Sequence, residues 1–146
     1  NDEIAQTYAA KASSLLSNNR FQEALETAQE GLQEVPDNGR LNFLVGHSYE
    51  RMAIAAISAD EIERSKVLYE NAVAALEKAV AANPKNLEAL DLLAGSYVKV
   101  YKTPEAVEVW KRIIATAPDS PQAEKARDYL QSLGFTSLVS ESRPAA

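Results

Sequence analysis

Recognition chemistry is concentrated on one stripe of the chain. Arg40, Phe43, Leu44, His47, Arg51 and Ile54 are spaced so that all fall along one side of a helix. An apolar pair edged by arginines can anchor an apolar side chain while the guanidiniums take carboxylates. Catalytic chemistry has little to work with. His47 is the sole histidine and there is no cysteine, which excludes multi-histidine and histidine–cysteine constellations, thiolate metal sites and disulfides. The residue three before His47 is Leu44, so a Glu-x-x-His di-iron pattern is absent. Gly31, Gly39, Gly46, Gly95 and Gly134 stand alone, which leaves no phosphate-binding loop. Glu23, Glu26 and Glu30 recur at helical spacing and read as a solvated face. No enzyme activity, cofactor or metal is expected.

The bulk numbers agree with a binding role. With 146 residues, 46% hydrophobic and 25% charged, the chain suits one ordinary globular domain. A formal net charge of −6 argues against a nucleic-acid binder, which needs a basic surface. The longest apolar run, "MAIAAI" at 52–57, is far too short to span a bilayer, and no signal peptide is visible. The first residue is Asn1 rather than methionine, as expected for a mature product or a piece of a larger or membrane-anchored protein. Compartment stays open between cytoplasm and periplasm.

The elements that must position the stripe repeat along the chain. "RFQEALETAQEGLQEVPDN", "LYENAVAALEKAVAANPKN" and "KTPEAVEVWKRIIATAPDS" each place an alanine (Ala24, Ala72, Ala106) twelve residues before a proline (Pro36, Pro84, Pro118). Upstream, Ala12, Gly46 and Ala94 stand three residues before Leu15, Tyr49 and Tyr97. From Leu15 to Tyr49 is 34 residues and from Tyr49 to Tyr97 is 48; from Phe21 to Tyr69 is 48 and from Ala72 to Ala106 is 34. The period is therefore 34, with 14 extra residues between Tyr49 and Tyr69. Small residues at fixed points let two helices approach, and Leu15, Phe21, Tyr49, Tyr69, Tyr97 and Trp110 fill the gaps. Pro36, Pro84 and Pro118 end helices. Thr103-Pro104-Glu105 reads as a helix start with Thr103 as N-cap, and Leu133-Gly134 as a glycine stop.

A 34-residue helix–turn–helix unit with these small residues and a terminal proline resembles the tetratricopeptide repeat (TPR) family. The chain departs from the family pattern at the fourth repeat position, where Tyr8, Asn42 and Leu90 replace tryptophan, at Thr103 and at Lys11. The resemblance implies an all-α helical-repeat array, a right-handed superhelix. Three repeats are expected over about 5–38, 39–86 and 87–120, with a capping helix at about 120–133. Together they make a domain over 1–134, followed by a tail at 135–146. Each hairpin leaves an apolar face that the next covers.

The resemblance also implies that first helices line a concave groove. Matched positions are Gln6, Ala9, Ala10, Ser13 and Ser17; Arg40, Phe43, Leu44, His47 and Arg51; Glu88, Asp91, Leu92 and Lys99; and Lys125 and Tyr129 from the last helix. Phe43 and Leu44 are expected to be an exposed apolar pair flanked by Arg40 and Arg51. Family members that clamp a chaperone tail use lysine, asparagine and arginine at positions that here are Ala9, Ser13, Leu44, Glu88 and Leu92, so that mode is not expected.

Ser58-Ala59-Asp60-Glu61 matches a capping box and predicts a helix start near residue 59. The extra residues then make a protruding hairpin of about two added turns per helix. Ala53, Ala56 and Ile57 face Ile62 and Tyr69 across it, leaving Ile54, Val67 and Leu68 for outside contacts. In the tail, Phe135, Leu138 and Val139 are expected to dock on an apolar surface. The expected function is a noncatalytic scaffold that binds a peptide or helical segment of a protein partner. The alternative is a homo-oligomerising module.

Overall fold

Alanine-rich segments with apolar residues at helical spacing form helices, and local stop signals divide them. The computed structural model describes residues 2–135, which form α1 (Asp2–Ser17), α2 (Phe21–Glu34), α3 (Gly39–Ser58), α4 (Ile62–Ala82), α5 (Leu87–Lys99), α6 (Thr103–Thr116) and α7 (Pro121–Ser132), with no strand among them. The all-α helical-repeat architecture is thus the observed one.

One turn is built three times. Asn19, Asp60 and Tyr101 follow α1, α3 and α5 with φ of 61°, 62° and 62°. The next N–H in each case returns to a carbonyl in the last helical turn: Arg20 to Leu15 at 2.9 Å, Glu61 to Ala56 at 2.8 Å and Lys102 to Tyr97 at 2.8 Å. This left-handed C-cap reverses the chain within a few residues. It also corrects the expected capping box. Ser58 closes α3, and α4 starts only at Ile62 without a side-chain cap bond. Thr103 likewise is the first residue of α6 rather than its cap, a position held by Lys102. After α2, α4 and α6, the prolines Pro36, Pro84 and Pro118 stand just past the C-caps Val35, Asn83 and Ala117. Asn38, Asn86 and Ser120 then cap the next helices, accepting from the Leu41, Ala89 and Ala123 N–H groups. Gly134, at φ 93°, ends α7 in the same left-handed manner.

The chain divides into two compact units, one through Pro84 and one from Lys85 on. In the first, α1 packs on α2, α2 on α3, α3 on α4, and α1 also reaches α3. Ala12, Ala24, Ala53 and Ala72 are fully buried there. Gly46 permits the closest approach. A Cβ at this position would lie 2.6 Å from Leu76 Cγ and 3.4 Å from the Ala72 carbonyl oxygen. Leu76 is itself fully buried and has nowhere to swing. Gly46→Ala is therefore expected to destabilise the protein by about 1–2 kcal/mol despite alanine's better helix propensity. Gly95 in α5 has nothing within 4 Å of its would-be Cβ. Gly95→Ala should stabilise by about 0.5–1 kcal/mol. Urea melts of the two variants should shift in opposite directions; a shared sign would contradict the packing described for α3 and α4.

The extra residues lengthen the second hairpin: α3 and α4 have 20 and 21 residues against 16 and 14 in α1 and α2. Its inner line is Ala53, Ala56, Ser65, Leu68 and Tyr69, all buried. Leu68 therefore belongs to the core rather than to the outer surface expected from the sequence. Ile57 and Ile62 are corrected the other way, with 40% and 54% of their surface exposed. Both stand at the hairpin's tip, Ile57 one residue before the end of α3 and Ile62 at the first position of α4, where less of the chain is at hand to cover them. Burial, and secondarily the Glu50 carboxylate, raises the Tyr69 hydroxyl above its ordinary pKa, so it stays protonated.

In the second unit α6 packs on α5 and α7. Ala94, Ala106 and Ile113 are fully buried. The Trp110 and Tyr129 rings stack at 4.8 Å between centroids and 6° between planes. Arg127 is buried and donates to the Pro118 carbonyl at 2.6 Å and to Glu124 at 3.1 Å, which ties α7 to the turn before it. Phe135 is exposed, with Lys111 Nζ 5.9 Å from its ring centroid. Leu138 and Val139 lie outside the described residues.

Candidate functional site

The residues matched from repeat one come together in the first unit. Gln6, Ala9, Ala10, Ser13 and Ser17 of α1 line a cleft of about 660 Å³ with Asn38 and Arg40 at the start of α3. Asp2, Ala5 and Ser14 complete it. Ala5, Ala9 and Ala12 are buried, whereas Gln6, Ala10, Ser14 and Ser17 are exposed. The floor is thus made of methyl and hydroxymethyl groups, with no bulky side chain to block an incoming backbone. Arg40 is exposed at the edge, its guanidinium 5.7 Å from the Phe43 ring centroid.

The rest of the α3 stripe differs from the expectation of an exposed apolar pair. Phe43 and Leu44 retain only 3% and 2% of their surface. Every residue from Leu41 to Val45 is buried, because α3 meets α1, α2 and α4. His47 is half-buried with its ring 5.7 Å from that of Phe43. Arg51 does not flank Phe43. Its guanidinium lies 5.4 Å from the centroid of Phe21 on α2. Ile54 and Val67 are exposed on the second hairpin.

In the second unit, Asp91 of α5 pairs with Lys125 of α7 at 3.2 Å, so two charges matched to the groove neutralise one another. Lys99 and Glu88 are exposed and Leu92 half-buried. Tyr129 is occupied by its stack with Trp110. Among the described residues no group of three or more histidine, cysteine, aspartate or glutamate side chains comes together to hold a metal ion. No helix of the described residues is long and apolar enough to cross a membrane.

Sequence reasoning missed Asp2, Ala5, Ser14 and Asn38 in the α1 cleft. Asn38 carries a signal in retrospect, as an asparagine directly before an apolar-periodic helix.

The tetratricopeptide repeat family matches over residues 68–129. No curated protein matches the chain. Among solved structures, the first TPR of Spaghetti (RPAP3), bound to HSP90 peptide SRMEEVD, has a TM-score of 0.73 at 18% identity, covering 91% of this chain and 95% of that one. The first TPR domain of human RPAP3 has a TM-score of 0.71 at 16% identity, covering 97% of each chain. The Yersinia enterocolitica type III secretion translocator chaperone SycD has a TM-score of 0.65 at 12% identity, covering 97% of this chain and 92% of that one. At these identities the likenesses show the fold.

Proposed function

We propose that this chain, a tetratricopeptide repeat protein by its fold and by the match over residues 68–129, is a noncatalytic scaffold holding a peptide or helical segment of a partner protein against α1 and α3. The observation that carries this reading is the cleft of about 660 Å³ with a floor of small side chains and Arg40 at its edge. Small residues let a partner helix or strand approach closely, and one placed cation fixes its orientation. RPAP3 bound to an HSP90 peptide and the chaperone SycD supply the precedent that this fold receives protein ligands. A chaperone tail like SRMEEVD is not the ligand favoured here. The positions that would clamp its carboxylate are Ala9, Ser13, Leu44, Glu88 and Leu92, none of them basic or an amide.

Ala10 is exposed, so a bulky residue there blocks the cleft without touching the core. Ala10→Trp is expected to weaken binding of a partner retained from native extract by about 1–3 kcal/mol. Arg40→Glu should mainly slow association and reduce its salt dependence. Calorimetry and stopped-flow measurement on variants with native helicity check both. Unchanged affinity and rate in both would remove the cleft from consideration.

Exposed Ile57, Ile62 and Val67 on the second hairpin favour a second reading, self-association. Light scattering across a dilution series separates it: a mass that does not change with concentration and equals one chain ends that reading.

A further inference from the structure

The three left-handed turns share a backbone and differ in what they carry. After α1 the chain reads Ser17-Asn18-Asn19-Arg20, and after α3 it reads Ser58-Ala59-Asp60-Glu61. After α5 it reads Lys99-Val100-Tyr101-Lys102. Asparagine and aspartate tolerate a positive φ because their short polar side chains bond locally. A bulky ring has no such compensation, yet Tyr101 holds a φ of 62°. The ring gains nothing from the fold either, since 85% of the residue's surface is exposed. Tyr101 therefore lowers stability twice, through its backbone and through an aromatic ring left in water. Closing the turn does not require it, because the other two close without an aromatic.

The charges of this turn differ too. Arg20 pairs with Glu23 and Glu61 with Arg64, so in both other turns the residue after the left-handed position is bound three residues on. Lys102 has Glu105 at the same spacing and makes no ion pair among the described residues; neither does Lys99. Both lysines are exposed. Glu105 lies in the first turn of α6, where the helix dipole by itself favours a carboxylate. Lys99 lies in the last turn of α5 and suits that dipole, which still leaves ammonium donors for a ligand. Val98 is 38% exposed and extends the apolar surface beside the ring. On a chain of net charge −6, this turn thus offers an aromatic ring with an unpaired ammonium on either side of it in sequence.

We propose that the α5–α6 turn is a docking site for a protein segment that presents an apolar side chain flanked by carboxylates. The apolar side chain lies on the Tyr101 ring and Val98, and the carboxylates meet Lys99 and Lys102. An anionic membrane is disfavoured, because its field acts on the whole acidic molecule, whereas a short segment meets only the local lysines. The turn belongs to the second unit and the α1 cleft to the first, so the failure of either reading leaves the other standing.

The test is an NMR titration of the full chain, labelled on backbone nitrogen, with three blocked hexapeptides: acidic DDLFED, basic KKLFKK and apolar-free DDSSED. Expected are amide shifts confined to residues 98–105, with the acidic apolar peptide binding at least about tenfold tighter than either control. Tyr101→Asn installs the residue that the first turn carries. It should raise the melting temperature by about 2–5 °C and weaken the acidic peptide at least about tenfold. Replacing Lys99 and Lys102 together with Gln should weaken that peptide about fivefold or more and flatten its salt dependence. Lys78→Gln, an exposed lysine on α4, should leave binding unchanged. A lower melting temperature in Tyr101→Asn would give the ring a structural role and overturn the proposal. So would equal binding of the basic peptide, or no shifts up to millimolar peptide. Concentration-dependent shifts of residues 98–105 without peptide would assign the turn to a second copy of the chain instead. Sedimentation with phosphatidylserine vesicles, lost in Tyr101→Asn and unaccompanied by peptide shifts, would reassign it to a membrane.

Discussion

Phe43→Ala is expected to lower the stability of the folded chain by about 3–5 kcal/mol, the usual cost of emptying a buried aromatic site. The spacing of the α3 stripe alone would make Phe43 a binding anchor whose loss costs affinity. Burial reverses that expectation. With 3% of its surface exposed and its neighbours from Leu41 to Val45 also buried, Phe43 has no face to offer a partner. Its loss empties a hole that the flanking His47 ring and Arg40 guanidinium, both 5.7 Å from the Phe43 ring centroid, are too polar to fill. Arg40→Ala, by contrast, removes an exposed side chain and should change stability by less than about 1 kcal/mol. Urea unfolding followed by far-ultraviolet circular dichroism measures both. A Phe43→Ala variant of native stability that binds its partner poorly would return Phe43 to the surface role.

Trp110→Ala should cost the second unit a comparable amount, about 3–5 kcal/mol. Trp110 is 2% exposed and carries the Tyr129 ring flat against it. It therefore supplies both core volume for α6 and the seat for α7. Removing the ring leaves α7 held mainly by Ala123, Ala126 and Leu130, and by the Arg127 bond to the Pro118 carbonyl. Tyr129→Ala keeps the buried indole and loses only the stack, so about 0.5–1.5 kcal/mol is expected. The chain has a single tryptophan, so its fluorescence reports the α6–α7 stack in the native protein, while the variant must be followed by circular dichroism. If both substitutions cost the same, or if Trp110→Ala costs less than about 1 kcal/mol, the stack rather than the burial sets the energy, and the account of α7 is wrong.

What the sequence determined by itself is whatever depends on spacing along the chain. Alanine twelve residues before proline, repeated three times, marks where second helices pack and stop, and Ala24, Ala72 and Ala106 are all fully buried. The 34 and 48 residue intervals located the lengthened hairpin because helix length is a local quantity of 1.5 Å per residue. The Gln6, Ala9, Ala10, Ser13 and Ser17 positions of α1 came from the resemblance to tetratricopeptide repeats, and all five line the α1 cleft. Only the tertiary structure decided which stripe residues see solvent. Phe43, Leu44 and Arg51 share a helical face by spacing, yet coverage depends on the three helices that surround α3 and on Phe21, thirty positions before Arg51. The left-handed caps were legible only in part, since Asn19 and Asp60 are residue types that adopt this conformation readily and Tyr101 is not. Periodicity fixes the direction of a side chain relative to its own helix axis, but burial is a property of what arrives from elsewhere in the chain, and no local pattern encodes it.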